Sequence, residues 1–123
     1  MDISQILDCS TFAVAGDTVT SSKYAYRIKK ALEAAGYKAY GVGKELAGFN
    51  EIEDRIDVID LCINPARGLA LLKELDKPVS AVLIQPGAGS DEIKALLDEK
   101  GIAWFEGCVL RLLEARGLYT FQD

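Results

Sequence analysis

The residues best suited to chemistry lie in one short stretch near the start of the chain. It is rich in hydroxyl groups and contains Gly16, Asp17, Thr18, Ser22 and Lys23. Hydroxyls, a lysine and free N–H groups at the start of a helix are groups that hold a phosphate or a pyrophosphate. The same residue types also build ordinary turns and helix N-caps. The pattern therefore leaves phosphate binding and a purely structural turn both open.

A second candidate is the segment Val42, Gly43 and Lys44, which ends the second apolar run of the chain. Domains that bind NAD usually place an Asp or Glu roughly 20 residues after the glycine loop, where it holds the ribose hydroxyls. Here Lys44 lies nearer to that position, and Glu45 follows one residue later. A lysine suits a ribose that carries a phosphate, as in NADP or CoA. The alternative is a solvated loop lysine, since most lysines are exposed.

The sequence contains no histidine, and its three cysteines, Cys9, Cys62 and Cys108, are widely spaced. Histidine-dependent triads and histidine metal sites are therefore excluded. No catalytic constellation is recognisable, so the sequence favours a protein that is not an enzyme and predicts no metal site. Cys62 lies in an apolar run and is expected in the core. Cys108 precedes a helix and is expected either as a small buried residue or as a thiol near a ligand.

The composition of the chain argues against two classes of partner, nucleic acid and membrane. The formal net charge is −5, which argues against nucleic acid because phosphate backbones need clustered Lys and Arg. No apolar stretch approaches the roughly 18 residues that cross a bilayer, so no membrane is expected. An odd number of cysteines without a signal peptide predicts reduced thiols and a cytoplasmic location. We expect one domain over residues 1–123 and leave homo-oligomer formation open.

The elements that must position these residues alternate between strands and helices. Short apolar runs predict five strands, at residues 12–16, 38–42, 56–63, 79–84 and 102–105. Helices are predicted over residues 23–35, from Asn64-Pro65 through Leu75, from the cap Ser90 to Gly101, and over 109–115. The predicted fold class is α/β: a doubly wound, Rossmann-like parallel five-stranded sheet in the order 3-2-1-4-5, with helices on both faces.

In such a sheet, ligands bind outside the carboxyl ends of the strands. Four loops should converge there, at residues 16–22, 43–44, 64–65 and 85–89. Gln85 is a polar residue that closes an apolar strand at this edge, and turn capping is its alternative role. Tyr24 shares a helix face with Ile28 and is expected in the core.

Several segments together resemble the small CoA-binding domain proteins, which are similar to the N-terminal domain of the succinyl-CoA synthetase alpha subunit. The segments are FAVAGDTVTSSKYAYRI at residues 12–28, DVIDL at 57–61 with Asn64-Pro65, IQPG at 84–87, and Gly107-Cys108. The resemblance covers about residues 12–118. It implies a small-molecule nucleotide ligand, CoA or a CoA derivative, lying across the carboxyl edge of the sheet without evident catalysis.

The resemblance also assigns parts of the ligand. The pyrophosphate would meet Gly16, Thr18 and the helix start near Ser22 and Lys23. The adenosine end would meet Val42, Gly43 and Lys44, and the remainder would be flanked by Asn64, Pro65, Gln85 and Pro86.

The sequence departs from the family pattern at two places. Asp17 stands where the family commonly has a small residue, and a carboxylate there would repel a pyrophosphate unless it is turned away. The segment Gly41–Lys44 replaces the family's Pro-Val-Asn-Pro. Two alternatives therefore stay open beside a CoA-binding module: an NAD(P)-binding or acyl-CoA enzyme subunit, and a domain that has lost its ligand and acts through protein contacts.

Overall fold

The computed structural model describes residues 1–121. Its centre is one five-stranded, all-parallel sheet whose strands are β1 (Thr11–Gly16), β2 (Lys38–Gly43), β3 (Ile56–Leu61), β4 (Val79–Ile84) and β5 (Ala103–Glu106). The helices are α1 (Tyr24–Ala34), α2 (Pro65–Glu74), α3 (Asp91–Lys100) and α4 (Val109–Ala115), and two 3₁₀ helices span Ile3–Asp8 and Phe49–Glu51. The predicted Rossmann-like α/β class is confirmed.

The predicted strand order 3-2-1-4-5 is wrong, because the strands lie in the order β2-β1-β3-β4-β5. The residues of β3 explain its central place, since Ile56, Val58, Ile59 and Leu61 are all fully buried and occupy both faces of the strand. By contrast, β2 begins at the exposed Lys38 and contains two glycines, which suits an edge position. The chain therefore reverses its direction of progress between β1 and β3.

Alternating side chains build one apolar layer on each face of the sheet. Ala15, Ile59 and Val82 pack under α2 and α3, whose buried residues include Leu72 and Leu97. The other face is covered by α1, α4 and the first 3₁₀ helix, and its buried residues include Phe12, Val14, Val58, Leu83, Ile28, Leu32, Leu110 and Leu113. Helices on both faces hold the carboxyl ends of all five strands at one edge.

Local signals set the ends of the helices as predicted. The side chains of Asn64 and Ser90 accept hydrogen bonds from the N–H groups three residues later, at Arg67 and Ile93, and so cap α2 and α3. Gly101 ends α3 in the left-handed region, with φ +71°.

Two predictions about the core need correction. Tyr24 is 41% exposed, because α1 begins at this residue and its side chain lies in the open first turn, while Ala25 takes the buried position. The third strand ends at Leu61, so Cys62 lies just beyond it and is half-buried rather than enclosed in the core.

Candidate functional site

The structure brings the twelve predicted site residues to the carboxyl edge of the sheet. In the register of the parallel strands, Gly16 pairs with Gly43, and Ala15 lies level with Leu61, which pairs with Ile84. Each predicted residue belongs to one of these strand ends or to the loop that follows it. The predicted convergence of four loops therefore survives the change in strand order.

Gly16 and Gly43 form a corner that has no room for side chains. A Cβ on Gly16 would lie 2.4 Å from the carbonyl oxygen of Cys62 and 2.8 Å from the Cβ of Ala25, and the φ of Gly16 is +152°. A Cβ on Gly43 would lie 3.2 Å from the carbonyl oxygen of Gly16. The start of α1 and the ends of β1, β2 and β3 can pack this closely only around glycine.

The carboxylate of Asp17 is turned into its own loop. Its Oδ1 accepts hydrogen bonds from the N–H groups of Val19, at 3.0 Å, and Thr20, at 2.9 Å. These bonds, those from Thr20 above all, lower the pKa of Asp17, and Lys44 lowers it further. Two of the N–H groups that the sequence offered to a pyrophosphate are thus already bonded by this carboxylate.

Thr18 and Glu45 connect the loops after β1 and β2. The Thr18 side chain is 4% exposed, and its hydroxyl donates a 2.7 Å hydrogen bond to Oε2 of Glu45. The Nζ of Lys29 lies 3.7 Å from the same oxygen. A Cβ on Gly41 would lie 2.1 Å from the Thr18 hydroxyl oxygen, so a glycine is needed beneath the pair. The hydroxyl predicted for phosphate is therefore engaged by Glu45.

The segment after β2 places its members differently. Val42 is fully buried, so its side chain packs in the core, and the N–H of Gly43 donates to the carbonyl of Leu46 at 2.7 Å. Lys44 is exposed, and its Nζ lies 4.0 Å from Oδ2 of Asp17. Of this segment, only Lys44 presents a side chain at the edge. Ser22 and Lys23 are also exposed, directly before α1.

Beyond these loops, Asn64 and Pro65 open α2, where Asn64 is the N-cap. The side chain of Gln85 is 3% exposed, and its Oε1 accepts a 2.8 Å hydrogen bond from the N–H of Val109. The capping role left open for Gln85 is thus real, although Gln85 caps α4 rather than its own turn. Pro86, next in the chain, is exposed.

A cavity of about 450 Å³ adjoins this end of the edge, and it is lined by Tyr24, Cys62, Gln85, Pro86, Cys108 and Arg111. Tyr24, Cys62 and Arg111 were not predicted to lie at the edge. The alternation of β3 was the available signal for Cys62, because Val58 and Cys62 pack against the same apolar layer, with Asp60 between them in the period of two.

The two thiols of the cavity differ in acidity. Burial raises the pKa of Cys108, but hydrogen bonds from Gln85 and Tyr24 and from the N–H groups of Arg111 and Leu110 outweigh burial and lower the pKa overall. Burial, with smaller contributions from Asp60 and Cys108, raises the pKa of Cys62 to about 12. Burial and the hydrogen bond with Cys108 raise the pKa of Tyr24 to about 12.

Asp60 lies on the same face of the sheet as Cys62, one pleat further from the edge. It is fully buried, and neither of its carboxyl oxygens has a hydrogen-bond partner. Burial raises the pKa of Asp60 well above its ordinary value, and Cys108 raises it further. The carboxyl group is therefore neutral in this apolar layer. Sequence reasoning did not single out this residue.

Residues 1–121 contain no group of three or more Cys, Asp or Glu side chains arranged to hold a metal ion. None of the helices within that range is long and apolar enough to cross a membrane.

Comparison with known proteins gives both a family and structural relatives. The model of a family described as "CoA binding domain" matches residues 10–114. A conserved hypothetical protein from Pyrococcus furiosus superposes with a TM-score of 0.74 at 26% identity, covering 86% of this chain and 99% of that one. Prb, described as PH1109 redesigned for binding, gives a TM-score of 0.82 at 23% identity, covering 99% of this chain and 94% of that one. Cell-free ID.343 from Thermus thermophilus gives 0.74 at 21% identity, with 93% of each chain covered. No curated protein sequence matches significantly.

Proposed function

The chain belongs to the CoA-binding domain family, and from that premise we propose that it binds CoA, or a derivative of CoA, at the carboxyl edge of its sheet. The observation that carries this proposal is the juxtaposition of two unlike features along one edge. A glycine corner with a lysine lies at one end, and a cavity lined by Pro86 and two cysteines lies at the other. CoA has the matching parts: a phosphorylated nucleotide and a less polar arm that ends in a thiol.

Charge supports the nucleotide end. Lys44 and Lys23 are exposed on the loops that flank the glycine corner. The carboxylate of Asp17 is turned toward its own backbone N–H groups and toward Lys44, which compensate part of its negative charge. Phosphates can approach the lysines from the solvent side without removing Asp17 from its loop.

The placement of the thiol end of CoA is supported because the cavity is continuous with the edge of the sheet. Gln85 and Pro86, which the family resemblance assigns to the ligand, also line the 450 Å³ cavity. The arm of CoA would therefore pass from the edge into this cavity without crossing a helix. Its amides and thiol would meet the side chains of Gln85, Tyr24 and Cys108 there.

Glu45 favours NAD as a second candidate. Its carboxylate lies beside the Thr18 hydroxyl, just after β2. This is close to the place where dinucleotide-binding domains hold the ribose hydroxyls with an acidic residue. A phosphate on that ribose would be repelled by Glu45 and attracted by Lys44. CoA binding would therefore depend on Lys44, and NAD binding would depend on Glu45.

Calorimetric titration separates the candidates. Reduced, nucleotide-free protein is titrated with CoA, 3′-dephospho-CoA, NAD and NADP at one salt concentration. We expect saturable binding of CoA. Lys44→Ala should weaken it by about tenfold, the loss of one charge-assisted contact. Lys73→Ala, an exposed lysine in the last turn of α2, is the matched control and should leave the affinity unchanged.

The ligand that lacks only the ribose phosphate, 3′-dephospho-CoA, makes the test more specific. If Lys44 contacts the ribose phosphate, Lys44→Ala should bind 3′-dephospho-CoA as well as the wild type does, because the interaction is already lost. Equal CoA affinity in Lys44→Ala would contradict this placement. Binding of NAD alone would replace the proposal by its second candidate, and no heat with any ligand would favour a domain that has lost its ligand.

A further inference from the structure

The cavity at the edge contains reactive side chains that are not needed merely to bind the arm of CoA. It is lined by two thiols, Cys62 and Cys108, and a buried carboxyl group without a partner, that of Asp60, lies one pleat below Cys62. We propose that Cys108 is a thiol–disulfide exchange site that takes disulfides of CoA and carries CoA as a mixed disulfide. This inference rests on the proposed function, since it specifies the ligand chemistry of the same site.

The contacts of Cys108 suit a nucleophilic sulfur. Its Sγ lies 3.5 Å from the hydroxyl of Tyr24, and the side chain is half-buried at the wall of the cavity. The side chains of Gln85 and Tyr24 both lower the pKa of this thiol and so favour its thiolate form. Gln85 is held in place by the bond from the Val109 N–H, so its position does not depend on the ligand.

The other groups make the site selective for one sulfur. Cys62 stays a protonated thiol at neutral pH, because its pKa is raised to about 12. Burial raises the pKa of the Asp60 carboxyl well above its ordinary value, which favours the uncharged form of this neighbour of Cys108. Arg111 lines the cavity as well, with its guanidinium paired to Glu114, and its backbone N–H helps to lower the pKa of Cys108. The cavity therefore holds one thiol whose pKa is lowered, that of Cys108, next to apolar surface that fits the arm of the ligand.

The step balances as an exchange without an added oxidant. The Cys108 thiolate attacks one sulfur of CoA–S–S–R, a bond forms between Cys108 Sγ and the CoA sulfur, and the S–S bond of the disulfide breaks. The leaving R–S⁻ takes the electron pair and is protonated by water. Cys108 is oxidised and the released thiol is reduced, so the disulfide itself is the oxidant. Attack by another thiol reverses the step and releases CoA.

The test uses reduced full-length protein and symmetric CoA disulfide. Intact-mass spectrometry should show a gain of one CoA less two hydrogens, with one equivalent of CoA thiol released, and peptide mapping should place the adduct on Cys108. Cys9→Ser, which lies outside the cavity, should still form one adduct, whereas Cys108→Ser and Cys108→Ala should form none. Tyr24→Phe, which keeps the ring and removes the hydroxyl, should slow the reaction and shift its pH profile upward. Circular dichroism checks that each variant is folded.

Comparison with glutathione disulfide separates this inference from the proposed function. At equal concentration, CoA disulfide should react at least about tenfold faster, because the nucleotide end is bound. If reduced CoA binds in the calorimeter but Cys108 stays unmodified, or if the adduct forms on Cys9 or Cys62, the exchange site is refuted while CoA binding stands. If CoA does not bind and both disulfides react equally fast at Cys108, the proposed function fails, and with it the specificity for CoA.

Discussion

Replacing Asp60 by Asn tests the least expected feature of the structure, a fully buried carboxyl group whose oxygens have no hydrogen-bond partners. The substitution keeps the size and shape of the side chain and removes its ability to ionise. In the register, Asp60 lies between Val14 of β1 and Leu83 of β4, both fully buried, so the packing around the site should not change. The predicted effect is electrostatic and depends on pH.

Its magnitude follows from proton linkage. Unfolded, Asp60 titrates near the ordinary carboxyl pKa of about 3.9. Folded, burial raises its pKa well above that value. Between these two pKa values the folded state holds a proton that the unfolded state has released, so the wild-type free energy of unfolding falls as pH rises. The fall is about 1.4 kcal/mol for each pH unit within that window and is complete above the folded pKa. The unfolding free energy of Asp60→Asn should not show this fall, because the asparagine side chain does not ionise.

The assay is urea unfolding of wild type and Asp60→Asn at a series of pH values from about 5 to about 8. The stability of the variant relative to wild type should increase with pH at the stated slope for as long as the pH lies below the pKa of the folded Asp60 carboxyl. Asp76→Asn, which neutralises an exposed carboxylate, is the matched control and should run parallel to wild type. The prediction is refuted if the unfolding free energies of wild type and Asp60→Asn change in parallel with pH. It is also refuted if the variant becomes less stable relative to wild type as pH rises, because Asp60 is then not a buried, neutral carboxyl group.

The remaining predictions concern the turns at the carboxyl edge. Gly16→Ala should lower the unfolding free energy by about 2 kcal/mol or more, since its Cβ would lie 2.4 Å from a backbone carbonyl at φ +152°, whereas Gly48→Ala, whose Cβ meets open space, should cost less than about 0.5 kcal/mol in the same urea titration. Gln85→Ala should cost about 1–3 kcal/mol, because it leaves the N–H of Val109 without its acceptor, and an unchanged melting temperature would argue against that cap. Asp17→Asn should tighten CoA binding several-fold in calorimetry, since the amide oxygen can still accept the loop N–H bonds while the negative charge is gone, and weaker binding would show that the carboxylate helps to form the site.

Much of the fold could be predicted because its signals are local. A capping side chain such as Asn64 or Ser90 bonds to an N–H only three residues away, and Gly101 supplies a left-handed residue at the helix end. These interactions depend on neighbouring residues alone, so the sequence shows them directly.

The strand order depends on an interaction that is not local. The connection from β2 to β3 contains no α-helix, and the sequence analysis therefore gave it no role in packing. In the structure, Phe49 and Ile52 of this connection are buried in the apolar layer beneath α2 and α3. They attach the connection to that face of the sheet, and β3 pairs with the far side of β1. A few apolar residues in an otherwise polar segment, Leu46, Phe49 and Ile52, were the sequence signal for this crossover.

The candidate site also has a feature that could be predicted from the sequence, its location, and a feature that could not, its hydrogen bonds. Its location followed from topology, because parallel strands end at one edge in either strand order. Its hydrogen bonds did not follow, because they join residues far apart in the chain, as in the bonds from Thr18 to Glu45 and from Val109 to Gln85. Only the alternation of β3, which puts every second residue on one face, could have predicted that Asp60 and Cys62 lie on the same side of the sheet.

These hydrogen bonds bear on how a ligand can bind. At the end where we place the nucleotide, two polar side chains already have partners: Asp17 accepts bonds from its own loop, and Thr18 donates to Glu45. The long contact between Lys44 and Asp17 is exposed and weak enough to exchange for a phosphate at little cost. In the proposed complex, Lys44 therefore orients the nucleotide and supplies a modest share of the affinity. The proposal then assigns the larger share to the cavity beside Cys108, where burial of the arm, and the covalent bond of the proposed exchange, add to the binding.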